Sequence, residues 1–166
     1  AITITGPLSL EGDSSLQAGA AVSVNGNIAS ALNQGRSLTI LSTPTITITG
    51  NVGQDAGTEL GSLITTGSGT LAFGDSSANQ QVIRTVGAQN YAHGVTVTQN
   101  TLFSSNSGGA ITFGSSVNSG ATARAMQVTT SGTTGFVGTI GGLAALQSLT
   151  VDGGGTTNFG SNVTTI

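Results

Sequence analysis

The side chains able to do acid–base or metal chemistry in this sequence are six carboxylates, one histidine and one tyrosine. Cleaving a glycosidic bond takes two carboxylates converging on one groove, one as acid and the other as base or nucleophile. The six are Glu11, Asp13, Asp55, Glu59, Asp75 and Asp152. The closest pair, Glu11 and Asp13, flanks Gly12 in a polar run that reads as a turn. His93 has no Cys, second His or acid at ligand spacing, so it reads as a surface residue rather than a metal ligand. The unusual segment is Gln89-Asn-Tyr-Ala-His93. In it Gln89, Tyr91 and His93 are candidate contacts for a sugar, an aromatic face with polar groups beside it, against a plain packing role for Tyr91. Gly153-Gly-Gly155 lacks the lysine and helix of a phosphate cradle and reads as a turn, and Val151-Asp152-Gly does not iterate as calcium-binding nonapeptides do. Asn162-Val-Thr164 fits a glycosylation sequon in a Thr-rich context. No catalytic residue, cofactor or metal set is expected.

Composition narrows the partners. The chain has 166 residues, enough for one domain with a core, and only 5% of them are charged. It has no Lys, and Arg36, Arg84 and Arg124 lie far apart, so the clustered cations of a nucleic-acid surface are missing. No run approaches the eighteen or so apolar residues needed for a membrane helix. Cysteine is absent, which removes disulfides and thiolate metal sites. The 36% hydrophobic content is mostly Ile, Val, Leu and Ala in alternation, the mark of a folded β chain rather than a disordered one.

Repeats organise what remains. Gly69-Thr-Leu-Ala-Phe73-Gly74 returns as Gly155-Thr-Thr-Asn-Phe159-Gly160, an offset of 159 − 73 = 86 residues. Ser62-Leu-Ile-Thr65 returns as Ser148-Leu-Thr-Val151 at 86, Ile48–Gly53 as Phe136–Gly141 at 88, and Val22–Ile28 as Ile111–Val117 at 89. Four phrases in one order predict a single domain made of two tandem large repeats, about 1–85 and 86–166. A finer period lies inside: Phe113, Phe136 and Phe159 are 23 residues apart, and Gly26, Gly50 and Gly74 are 24 apart. Each small unit reads as a strand, a Gly/Asn/Ser turn, a second strand and another turn.

Runs such as Ile2-Thr-Ile4, Val22-Ser-Val24, Thr45–Thr49, Gly94–Thr98 and Ile111-Thr-Phe113 alternate with period two and end at Gly, Pro or Asn. The expected fold is therefore all-β, a parallel β-solenoid with coils of about 22–24 residues. In it one side chain of each alternating pair points inward, and Gly occupies the corners. Longer strands would favour a sandwich, and units nearer 40 residues a propeller. Leu143–Leu146 is a candidate helical turn, and Asp75–Asn79 a polar loop. The Thr runs 3/5, 45/47/49 and 96/98 would project from a strand face as water-ordering solenoids project theirs, although Thr is also simply a favoured β residue.

Ile83-Arg-Thr-Val-Gly87-Ala-Gln-Asn90-Tyr91, Gly94-Val-Thr-Val-Thr98, Ala110-Ile-Thr-Phe113-Gly114, Leu149-Thr-Val-Asp152 and Thr156-Thr-Asn-Phe159-Gly160 resemble the repeats of giant bacterial surface proteins of the filamentous-haemagglutinin-like adhesin type. The resemblance covers most of the second large repeat and the first more loosely. It implies a right-handed β-helix exported to the cell surface as a structural or adhesive fibre. The expected partners are copies of itself or neighbouring repeats stacked end to end, with surface glycans as further ligands. A carbohydrate-binding or carbohydrate-cleaving β-helix and an ice-binding solenoid are the alternatives. Ala1 carries no initiating Met or signal peptide and Val163–Ile166 reads as a strand, so the sequence is expected to be a segment of something longer.

Overall fold

The computed structural model describes residues 1–75 and 77–166. Ser76, part of the polar loop expected at 75–79, lies outside the described residues. Among the described residues there is no α-helix, and every named pairing between strands is parallel. The chain winds through three sheets in turn, so that each coil contributes one position to each. Sheet A holds β1 (Ile2–Ile4), β4 (Val22–Val24), β7 (Thr45–Ile48), β9 (Thr70–Phe73), β12 (Gly94–Val97) and β15 (Val117–Ser119) in that spatial order, continued by single bridges through Ile140 and Val163. Sheet B holds β2 (Leu8–Leu10), β5 (Ile28–Ser30), a bridge at Val52, then β10 (Gln81–Thr85), β13 (Thr101–Ser105), β16 (Ala125–Thr129) and β18 (Ser148–Asp152). Sheet C is the seven-stranded stack of β3 (Ser14–Ala18), β6 (Leu38–Ser42), β8 (Leu63–Thr66), β11 (Gln89–Tyr91), β14 (Ile111–Phe113), β17 (Thr133–Phe136) and β19 (Thr156–Phe159). The fold is a β-solenoid of about seven turns.

The expected small unit of two strands is corrected to three. The strands that sequence alternation did not reveal, β3, β5, β10, β11 and β15, carry polar residues: Ser14-Ser-Leu-Gln-Ala18, Val117-Asn-Ser119 and Gln89-Asn-Tyr91 have no clean apolar alternation. Their register comes from the coils they lie on. Leu143–Leu146 forms bends that end in a bridge from Leu146 to Thr165, not a helical turn; Leu143 is almost fully exposed, so no apolar face drives a helix there.

Inward side chains form ladders along the column. On sheet C one ladder runs Leu16, Ile40, Thr65, Tyr91, Phe113, Phe136, Phe159. The 23-residue spacing of the last three is the coil length, and it brings Phe113 and Phe136 into stacking at 5.0 Å and Phe136 and Phe159 at 5.3 Å. Phe73, Tyr91, Phe103 and Phe113 meet edge to face or tilted across the interior at 5.1 to 5.6 Å. Such pairs contribute roughly 0.5–1.5 kcal/mol beyond the burial of their surface.

Glycine stacks at the A–B corner of the opening coils, and at Gly26 and Gly50 no side chain fits. A Cβ on Gly50 would sit 2.3 Å from the carbonyl oxygen of Gly26, and one on Gly26 would sit 2.3 Å from that of Gly6. Where the strand ladder breaks at corners, side-chain oxygens from one coil accept backbone N–H groups of the next. Asp13 Oδ1 accepts from Ser37, Asn27 Oδ1 from Asn51, Asn51 Oδ1 from Val82, and Asn100 Oδ1 from Ala125, at 2.8 to 3.0 Å. These bonds satisfy donors that the turn would otherwise strand.

Candidate functional site

The three candidate contact residues come together, but inside the column. Gln89 and Tyr91 lie on β11 with side chains inward, and His93 follows at the C–A corner; all three are buried, His93 at 1% exposure. This corrects both the sugar-contact expectation and the reading of His93 as a surface residue. Alternation along β11 explains it: Asn90 faces out, so 89 and 91 must face in.

Their hydrogen bonds are internal. The Tyr91 hydroxyl donates to Gln89 Oε1 at 2.8 Å. Gln89 Nε2 in turn donates to the carbonyls of Ser104 at 2.8 Å and Ile83 at 3.2 Å and reaches Thr85 Oγ1 at 3.2 Å. The Ser42 carbonyl, which can only accept, lies 3.0 Å from His93 Nε2, so that nitrogen carries the proton; Nδ1 faces the Thr65 hydroxyl at 3.3 Å. Burial holds the Tyr91 phenol well above the usual tyrosine range, because a phenolate there would lose its hydration. The arrangement ties β10 and β13 on sheet B to β11 on sheet C. Its chemistry is that of a satisfied polar core, which fixes one register and presents no atom to a ligand.

The carboxylates are distributed along the column. Glu11 and Asp13 lie before β3, and Asp13 is engaged by the Ser37 N–H. Asp55 and Glu59 lie in the excursion between Val52 and Leu60, where Asn106 Nδ2 donates to Glu59 Oε1 at 3.1 Å. Asp75 follows β9, and the Ser77 N–H at 2.9 Å lowers its pKa. Asp152 ends β18, and the Thr129 hydroxyl and the Gln127 amide on the adjacent strand lower its pKa. Among the described residues no group of three His, Cys, Asp or Glu is placed to hold a metal ion.

The surface formed by the described residues includes two clefts. The larger, about 450 Å³, lies where the 31–36 and 53–61 excursions stack and is lined by Asn33, Gln34, Gly35, Gly57, Glu59, Gly61 and Val86. The smaller, about 250 Å³, lies at the A–B corner among Asn25, Asn27, Asn51, Asp75 and Gln99. In each, amides outnumber charges, and the Asn27 and Asn51 oxygens are already committed to backbone N–H groups.

One member of each Thr run, Thr3, Thr47 and Thr96, shares a face. Register puts Thr3, Ser23, Thr47, Ala72, Thr96 and Asn118 in one outward column of sheet A. Thr recurs there on every second coil, with Ser, Ala and Asn between.

The fold thus defines a parallel β-solenoid. No protein-family model, curated protein or solved structure matches the chain.

Proposed function

We propose that the chain is a structural and adhesive segment of an extracellular bacterial surface fibre, acting by length and stiffness. The observation that supports this most is the continuity of the column: three parallel faces run through about seven coils, sheet B narrowing to the single bridge residue Val52 on the third coil and sheet A to the bridges through Ile140 and Val163 at its end. The acids are spread along the column, Glu11 with Asp13 on one coil, Asp55 with Glu59 on another and Asp75 and Asp152 on two more, and the side chains of Gln89, Tyr91 and His93 are consumed internally, which favours a stalk over a carbohydrate-cleaving module. Stacking at about 4.8 Å per coil makes a rod of roughly 35 Å, and joined repeats or copies extend it. Small-angle scattering on one, two and three copies joined end to end tests the reading. Length growing by roughly 35 Å per copy at constant cross-section is expected; compact particles whose cross-section grows instead overturn it.

A second reading, water ordering at an ice surface, is favoured by the shared Thr column of sheet A. Faceted ice growth and thermal hysteresis that disappear in Thr47→Leu/Thr96→Leu would establish it, and unshaped ice from the parent chain would remove it.

A further inference from the structure

The strand lengths repeat along with the sequence phrases. From β1 to β9, with the Val52 bridge in its place, they run 3, 3, 5, 3, 3, 5, 4, bridge, 4, 4 residues. From β11 to β19, with the Ile140 bridge, they run 3, 4, 5, 3, 3, 5, 4, bridge, 5, 4. Local details coincide as well. Gly53 and Gly141 follow the two bridges with φ of 57° and 70°, and donate to the Ile28 and Val117 carbonyls at 2.8 and 2.7 Å. The N–H groups of Arg36 and Arg124 donate to Ser30 and Ser119 Oγ at 2.8 and 2.9 Å. Leu60 bridges to Thr85 as Leu146 bridges to Thr165.

With β10 and the Val163 segment as last members, each unit fills eleven sheet positions. Since 11 = 3 × 3 + 2, the second unit starts out of phase with the first: β1 opens on sheet A, β11 on sheet C. The junction inside the chain shows how one unit receives the next. β11 lies on β8, β12 on β9 and β13 on β10.

We propose that the end of the column formed by β18, β19 and the Val163 segment is an interaction surface for the opening coil of another eleven-position unit, seated with β1 on β18, β2 on β19 and β3 on the Val163 segment. This rests on the end-to-end stacking of the proposed function and adds its phase. The internal junction pairs Gln89 with Leu63, Asn90 with Ile64 and Tyr91 with Thr65; its counterpart pairs Ile2 with Leu149, Thr3 with Thr150 and Ile4 with Val151. By the same correspondence Leu10 meets Phe159, 50% exposed, and Leu16 meets Val163, 45% exposed. The inward residues Ile2, Ile4, Leu10 and Leu16 on one side and Leu149, Val151, Phe159 and Val163 on the other are apolar, so docking extends the ladders. A whole-turn docking, with β1 over Val163 on sheet A, would leave β2 and β3 about one 4.8 Å spacing short of β18 and β19. Each 22-position pair of units therefore turns its successor by one sheet, since 22 = 3 × 7 + 1, and equivalent corner loops step around the fibre.

The chain has no Cys, so cysteine pairs report the phase cleanly, with a second copy of this chain as the partner. Outward neighbours on adjacent parallel strands lie about 4.8 Å apart at Cα, within disulfide reach. Under oxidation of the concentrated chain, Thr3→Cys/Thr150→Cys is expected to form reducible ladders of covalent multimers at least tenfold faster than Thr3→Cys/Thr164→Cys, while the single-cysteine variants stop at dimers. Faster ladders from Thr3→Cys/Thr164→Cys overturn the phase but keep end-to-end stacking. Multimers from neither variant overturn both.

Discussion

Tyr91 is the sole tyrosine and the chain has no tryptophan, so its ionisation can be followed near 295 nm without interference. In the fold its ring is buried among Phe73, Phe103 and Phe113, and its hydroxyl is spent on Gln89 Oε1. Its folded pKa is raised by burial above an unfolded value near 10. The neutral phenol's contribution is therefore fully present below pH 10 and is lost as pH rises toward the folded pKa. Above pH 10 the native state holds more protons than the unfolded one, so stability declines by up to about 1.4 kcal/mol per pH unit. Spectrophotometric titration with circular dichroism in parallel should show no phenolate signal until the β signal itself collapses. Tyr91→Phe should remove the alkaline slope while costing about 1–3 kcal/mol at pH 7, because Gln89 Oε1 is left as a buried acceptor without its donor. A phenolate signal with midpoint near 10 in a chain that keeps its β signal would place Tyr91 at the surface and refute the register of β11.

Gly50→Ala should lower stability by roughly 1–3 kcal/mol or more in denaturant unfolding, since its Cβ would press on the Gly26 carbonyl, whereas Gly12→Ala, with nothing within 4 Å, should be close to neutral. Phe136→Ala should cost about 3–5 kcal/mol, as its ring is stacked on both sides and 2% exposed. Phe159→Ala should cost clearly less, because that ring is half exposed; equal losses would contradict the ladder. Asp152, with its pKa lowered by Thr129 and Gln127, contributes stability above pH 4 that is lost as pH falls through its folded value. The melting-temperature gap between the parent and Asp152→Asn should therefore shrink below pH 4, and a gap that widens on acidification would reverse the sign.

Strands with apolar alternation, such as β4, β7 and β14, were legible in the sequence, and so was the coil length, because identical Phe and Gly residues recur wherever stacking demands the same shape. β3, β5, β10, β11 and β15 were not, since residues such as Gln81, Gln89 and Ser119 point inward. Their burial is possible only because neighbouring coils supply partners from far along the chain, as Gln81 Nε2 shows by donating to the Ile48 and Gly50 carbonyls. The same cause misplaced the candidate site: Gln, Tyr and His in one short segment look like surface chemistry until alternation and the Thr65, Ser42 and Ser104 partners are known. The corner oxygens of Asn27 and Asn51 carried a usable signal in their 24-residue spacing, but a turn preference accounts for Asn equally well.

The account turns on coils stacking into a continuous rod. Electron cryo-microscopy of the concentrated chain tests this most directly. Unbranched fibres with an axial layer line near 4.8 Å are predicted; discrete globular particles lacking that repeat would contradict it.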